Sequence, residues 1–134
     1  MSAPGAGLLD TSVFIDREAG RPLGELRDRV AVSAVTIGVQ LGVLAAADDE
    51  TRARRADTLS LARTADPLAL GEAAMVAWAA LVADCRAAGI HRAVRLTDSL
   101  IAATAIDRGL PVVTQDDDYD RIAIAHPRLR VVKV

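Results

Sequence analysis

The chain has 134 residues, 51% hydrophobic and 25% charged, with a formal net charge of −2. That length fits one domain able to bury a core without disulfides or structural metal, and the apolar share excludes a disordered chain. No global basic field of the kind that drives non-specific DNA binding is present, and a single cysteine, Cys85, excludes both an intramolecular disulfide and a thiolate metal cluster.

Taken in chain order, Gly7 to Asp10 is a short apolar run ending in an acid, and Thr11 and Ser12 offer helix-capping hydroxyls behind it. Arg21-Pro-Leu-Gly marks a break before a short helix predicted around Leu23–Arg29. Val30–Val35 is β-branched and reads as a buried strand, with a helix from Thr36 to Asp48 capped by Thr36. The 18 residues from Val30 to Ala47 carry no charge, but Ser33, Thr36, Gln40 and two glycines interrupt them. A strand and a helix explain the stretch better than a membrane span. A polar helix follows over Glu50–Arg63, ended by Asp66-Pro67, with a short strand possible at Leu68–Leu70. Glu72–Ala88 is the longest helix and stops at Gly89; Thr97–Arg108 is another, opened by Thr97 or Asp98 and stopped by Gly109. Pro111–Thr114 reads as a strand, Asp118–Ala125 as a short helix and Leu129–Val134 as a final strand.

Strands alternate with helices and no hairpin signal intervenes, which predicts a single α/β domain over residues 1–134 with a mostly parallel central sheet flanked by helices. The N-terminus lacks the basic start and apolar stretch of a signal peptide, so the expectation is a cytoplasmic protein. Trp78 and Met75, three residues apart on the long Ala-rich helix, read as core or dimer packing. His91 and His126 are isolated, without metal-ligand spacing, and Cys85 reads as a buried structural thiol.

Fourteen of the 18 acids are Asp, a residue of caps, turns and metal sites more than of helix interiors. In an open parallel sheet, ligands bind beyond the carboxyl ends of the strands. Asp10 ends the first strand, Asp98 opens a helix, and Asp116, Asp117 and Asp118 follow the strand Val112-Val113-Thr114-Gln115. Each has an ordinary reading: Asp10 and Asp98 as helix caps, the Asp run as a solvated turn. Together, at one sheet edge, they point to a site where a hard divalent cation relieves carboxylate repulsion and serves phosphoryl-transfer chemistry.

Three blocks, Leu-Leu-Asp-Thr-Ser-Val-Phe-Ile, Arg-Leu-Thr-Asp-Ser-Leu-Ile-Ala-Ala-Thr-Ala and Val-Val-Thr-Gln-Asp-Asp-Asp-Tyr-Asp, resemble in order and spacing the PIN domain, and within it the VapC toxins of bacterial toxin–antitoxin pairs. The resemblance runs from Leu8 to about Val132. It implies a three-layer PIN-like fold and an Mg²⁺- or Mn²⁺-dependent endoribonuclease cutting RNA, such as tRNA or rRNA, with metal-activated water. It implies Asp10, Asp98 and Asp116 as catalytic and metal-binding acids, with Asp118 as a supplementary metal ligand. Thr11, Ser12 and Thr114 become hydroxyl supports, and Arg92 and Arg95 candidate contacts to RNA phosphates, though a solvated loop explains those two arginines equally. Tyr119 and Phe14 are too few for a base-stacking surface. The resemblance further implies a homodimer and a VapB-like antitoxin whose C-terminal segment covers the acids.

One departure stands out. The family pattern Thr-x-x-Glu-Leu-x-x-Gly is here Thr36-Ile-Gly-Val-Gln-Leu-Gly-Val, so Val39 falls at the acid's position with Gln40 beside it. No acid occurs between Asp28 and Asp48. The alternative is therefore a catalytically weakened or inactive PIN domain that binds antitoxin or RNA. A phosphoacceptor receiver domain also clusters Asp residues, but the only lysine, Lys133, lies in the last strand.

Overall fold

The computed structural model describes residues 3–24, 26–39 and 48–134. Its elements are β1 (Ala3–Leu9), α1 (Thr11–Glu18), β2 (Arg27–Val32), α2 (described over residues 34–39), α3 (Asp49–Arg63), α4 (Glu72–Ala87), a 3₁₀ turn (His91–Ala93), α5 (Leu96–Arg108), β3 (Val112–Thr114), α6 (Asp118–Ala125) and β4 (Val131–Lys133). The four strands pair in parallel in the order β2-β1-β3-β4.

Successive residues of a strand face opposite sides of a sheet, and two cores result. Leu8 and Val112 turn toward α4, α5 and α6, where Leu81, Cys85, Ile101, Tyr119 and Ile122 pack against them. Leu9 and Val113 face the other way, onto Val13 and Phe14 of α1 and Ala62 of α3. The register Leu8↔Val112 and Leu9↔Val113 keeps each pair on one face. The chain thus builds the parallel α/β architecture that the alternation predicts, with helices on both faces of the sheet as the resemblance implies. Cys85 is buried in the first core, and burial pushes its thiol pKa up.

Several boundaries differ from the sequence reading. The helix predicted at Leu23–Arg29 does not form: residues 21–24 are irregular, and from Arg27 the chain is strand β2. Nor is the following strand buried, because β2 lies at the sheet edge, with Asp28, Arg29 and Val30 exposed and only Val32 in the core. Charged side chains on an exposed edge deter pairing with another chain, and the same charges hide the strand from a periodicity search. Ser33 rather than Thr36 starts the next helix: its Oγ accepts the Val35 amide at 3.1 Å, leaving Thr36 inside the helix and fully buried. The end of that predicted helix, from Gln40 through Ala47, lies outside the described residues. Leu68–Leu70 contributes one bridge, Leu68 to Ser33, instead of a strand. On α4, Trp78 donates its indole N–H to Ser99 Oγ at 2.9 Å, tying α4 to α5, while Met75 is exposed. Among the described residues no helix is long and apolar enough to cross a membrane.

The sheet's centre depends on a glycine. Gly7 in β1 is buried, and a Cβ built there would lie 2.5 Å from Val113 Cγ2 and 2.9 Å from Arg27 Cγ. Both neighbours are fixed by strand pairing, so a larger residue must push strands apart. Gly7→Val should therefore cost at least about 1–3 kcal/mol of stability, read as a lower urea midpoint with an unchanged slope. A variant as stable as the parent would show that β1 and β3 are less closely packed than described.

Candidate active site

The strand order reverses between β1 and β3: β1 leads to β2 on one side and β3 to β4 on the other. The carboxyl ends of two such strands splay apart and leave a crevice. A cleft of about 320 Å³ opens there, lined by Asp10, Asp98 and Asp116 together with Thr11, Ser12, Ile15, Asp16 and Arg21 from α1 and the loop after it, Val39 from α2, and Arg95, Thr97 and Ile101 around the start of α5.

Asp10 is the most constrained of the acids, only 2% exposed at the end of β1. A carboxylate at that depth must be hydrogen-bonded. Its Oδ2 accepts from Thr114 Oγ1 at 3.0 Å and, more loosely, from the Ser12 amide at 3.4 Å; its Oδ1 accepts from the Tyr119 hydroxyl at 2.8 Å. The Ser12 bond makes Asp10 the N-cap of α1 as well, so the capping reading and the site reading hold of the same residue. Thr114 has one proton and gives it to Asp10. Its contact with Ser12 Oγ at 3.2 Å therefore has Ser12 donating. Ser12 Oγ in turn accepts the Gln115 amide at 3.2 Å, and Thr114 Oγ1 accepts the Asp116 amide at 3.0 Å. The hydroxyls of Ser12 and Thr114 thus form a chain of donors ending on Asp10, which also fixes the backbone carrying Asp116. Thr11 lines the cleft separately and donates to Thr36 Oγ1 at 3.2 Å.

Asp98 does not cap α5. Arg95 holds the N-cap position without a side-chain bond, which places Asp98 in the first turn, facing the cleft. The Tyr119 hydroxyl reaches Asp98 Oδ1 at 3.4 Å, but its single proton is committed to Asp10 at the shorter distance. Burial first, then the charge of Asp10, raises the Asp98 pKa to about 6; Asp118 and Asp116 add to the shift and Arg95 opposes it. Asp116 sits at the exposed rim, and its pKa is also raised, by partial burial of the carboxylate and then by Asp10, Asp118 and Asp16. Burial and the same two carboxylates, Asp10 and Asp98, drive the Tyr119 pKa far upward, so the phenol stays a donor.

The Asp run divides. Asp116 reaches the cleft; Asp117 pairs instead with Lys133; Asp118, in the first turn of α6, does not line the cleft but its charge acts on both Asp98 and Asp116. Of the two arginines singled out, Arg95 lines the cleft and Arg92, in the 3₁₀ turn, does not. Val39 lies on the cleft wall, so the position lacking an acid is a position in the site; Gln40 is outside the described residues. Three residues escaped the sequence reading: Tyr119, which donates to Asp10 and lies close to Asp98, and the pair Asp16 and Arg21. The i, i+3 apolar spacing of Tyr119 and Ile122 signals only that the ring is inward. Asp16 follows Ser12 by four residues, which puts it on the same face of α1.

The donor set is all oxygen, which suits a hard divalent cation. Among the described residues no group of three His, Cys, Asp or Glu side chains is close enough to hold an ion as placed. Mg²⁺ typically takes one or two carboxylates and completes its shell with water and substrate phosphate, and the carboxylates of Asp98 and Asp116, raised first by burial and then by neighbouring acids, are those whose charge a cation would stabilise. The residues fit such an ion without forming a closed cage.

Comparison with known proteins agrees with this architecture. The PIN domain family matches residues 7–125. Ribonuclease VapC8 of Mycobacterium tuberculosis is 64% identical over 102 residues, covering 75% of this chain and 91% of that protein. Ribonuclease VapC5 of the same organism is 46% identical over 121 residues, 88% of each. The crystal structure of VapBC-5, a toxin–antitoxin family member from M. tuberculosis, superposes with a TM-score of 0.85 at 39% identity, covering 98% of this chain and all of that one. An acid-lined cleft at the switch point of a parallel sheet, set beside these relationships, identifies the chain as a member of the PIN domain family and, within it, of the VapC ribonucleases.

Proposed function

We propose that the protein is a metal-dependent endoribonuclease toxin of a VapBC-type pair, with Asp10, Asp98 and Asp116 as its working acids and Mg²⁺ or Mn²⁺ as its cofactor. The convergence of those three carboxylates on one cleft carries the reading. Asp118 acts from behind through its charge, and Thr11, Ser12 and Thr114 act as supports, Thr114 most directly because it holds both the Asp10 carboxylate and the Asp116 backbone. Asp10, pinned on both oxygens, keeps one lone pair, on Oδ1, for a cation while its position is fixed by protein donors. Asp98 and Asp116 have the freer carboxylates and would complete the protein's share of the coordination. A bound divalent cation supplies charge neutralisation at the phosphate and eases deprotonation of the attacking water. Arg95 supplies positive charge at the start of α5 for the RNA backbone; Arg92 would contact RNA only outside the cleft.

The relatives are named as ribonucleases and as toxin–antitoxin assemblies. By extension this chain has an RNA substrate and a VapB-like antitoxin that covers the acid cleft, and it works as a homodimer. The reading of an inactive binding module rests only on the missing acid at Val39. The three remaining acids and their intact hydrogen-bond support favour catalysis over it.

Cleavage of mixed tRNA and rRNA by purified, antitoxin-free protein tests the assignment. Discrete fragments should appear with Mg²⁺ or Mn²⁺ and vanish with EDTA, and Asp98→Asn should slow their appearance by at least ~100-fold, the scale of losing one preorganised charged group. Undiminished cleavage by Asp98→Asn would remove Asp98 from the machinery.

Stability offers a second reading. The folded-state pKa of Asp98 lies near 6, above its ordinary value, so the metal-free folded protein binds this proton more tightly than the unfolded chain. Its penalty is therefore fully present above pH 6 and is relieved as pH falls toward 4. Metal-free Asp98→Asn should melt a few degrees above the parent at pH 7.5, with the gap closing near pH 4.5. Mg²⁺ should raise the melting temperature of the parent more than that of the variant. An equal gap at both pH values would mean that Asp98 carries no excess charge penalty. Val39→Glu, adding a carboxylate to the cleft wall, should tighten Mn²⁺ binding several-fold by calorimetry; no change would show that the wall at position 39 faces away from the cation.

A further inference from the structure

Asp16 and Arg21 form a salt bridge inside the cleft that neither capping nor the three working acids explain. Helix α1 ends in a Schellman turn: Gly20, at φ +71°, occupies the left-handed position, with Gly20 N–H donating to Arg17 O at 3.1 Å and Arg21 N–H to Asp16 O at 2.8 Å. That turn brings the Arg21 side chain back over Asp16, and Nη1 meets Oδ1 at 2.8 Å. The Asp16 side chain is 10% exposed and the Arg21 side chain 67%. Next to Arg21, the Pro22 carbonyl accepts from Gln115 Nε2 at 3.1 Å, which ties this loop to the residue following Thr114.

The turn is already closed by its backbone bonds, and a pair with so exposed an arginine adds little to stability. Its distinguishing property is placement. Asp16 fixes one nitrogen of a guanidinium whose Nε and Nη2 have no partner among the described residues. That guanidinium stands at the α1 wall of the cleft, as Arg95 stands at the α5 wall, with Asp10, Asp98 and Asp116 as the remaining charged lining. An arginine anchored by a carboxylate at one nitrogen and open at the others is preorganised to take a phosphate in a forked contact.

We propose that Arg21, positioned by Asp16, grips a backbone phosphate of the RNA strand on the α1 side of the cleft, while Arg95 takes the strand on the α5 side. The inference rests on the ribonuclease reading and extends it to the path of the substrate. Arg21 contacts RNA; Asp16 acts through Arg21 as a positioning residue.

The test is binding of a fluorescent single-stranded oligoribonucleotide across a NaCl series, in Mg²⁺ buffer and in an Asp98→Asn background that suppresses cleavage. It is paired with steady-state cleavage kinetics in the otherwise unaltered protein. Arg21→Gln should weaken binding about tenfold and lower the salt slope by about one phosphate contact. In kinetics it should raise KM with kcat largely kept, the signature of binding shared by ground and transition states. Arg21→Lys should restore the salt slope and part of the affinity. Asp16→Asn should fall between Arg21→Gln and the parent, and Arg128→Gln, an exposed charge outside the cleft, should behave as the parent.

If Arg21→Gln and Asp16→Asn only lower the melting temperature, with salt slope and KM unchanged, the pair is a structural staple and the proposal falls while the ribonuclease reading stands. If the parent cuts no RNA and the Asp98→Asn protein binds none, that reading fails and takes the proposal with it.

Discussion

The carboxylate of Asp10 is the constraint around which the site is arranged. It is buried at the end of a central strand, where an ion without partners would be far too costly to keep, and its partners come from three separate places in the chain. Ser12 supplies a backbone amide from α1, Thr114 a hydroxyl from β3, and Tyr119 a phenol from α6. Satisfying one charge therefore brings the beginning and the end of the sequence together at the sheet's carboxyl edge. One of the same hydroxyls also holds Asp116 at that edge, through the Asp116 amide on Thr114 Oγ1, while Asp98 lies nearby with its Oδ1 3.4 Å from the Tyr119 oxygen.

That arrangement is stable to fold and strained in charge. Tyr119 has one proton for two carboxylates, and the nearer one takes it, so Asp98 is left with burial and a neighbouring negative charge. The fold tolerates this because the strain is local, while both cores on either side of the sheet are apolar and well packed. Perturbed carboxylates in a cleft are a common mark of a functional site; here the perturbation has a specific geometric source.

Much of this could be read from the residues. The second half of the chain announces its elements through helix stops at Gly89 and Gly109 and through the apolar run at Val112, and α6 occupies Asp118–Ala125 as predicted. The three acids were legible because each ends, opens or follows a recognisable element. The first half of strand β2 was not, since Arg27, Asp28 and Arg29 have neither a strand's apolar alternation nor a buried face, and only Val30–Val32 fell within the predicted strand. Its conformation comes from pairing with β1, twenty and more residues away. Tyr119 enters the sequence reading only as one of too few aromatics to stack bases, because its role depends on a carboxylate 109 positions earlier, a separation no local pattern encodes. The Asp16–Arg21 pair is the opposite case: both residues and the intervening Gly20 form a local Schellman signature, but its position on a cleft wall emerges only once α1 is set against α5.

The charge balance of the cleft bears on the valine at position 39. Four of the described lining residues are acids and two are arginines. Arg21 is committed to Asp16, so the working charge is that of Asp10, Asp98 and Asp116 against Arg95. With those acids ionised, the balance is two negative charges, which one divalent cation neutralises. A glutamate at position 39 would add a third and leave a single cation short, favouring a second ion or a further raised pKa. Val39 leaves the wall uncharged at that point, and the donors that hold Asp10 lie elsewhere. An uncharged side chain at position 39 thus bears on the charge balance of the cleft alone, because the hydrogen bonds that hold Asp10 and the Asp116 backbone do not involve it.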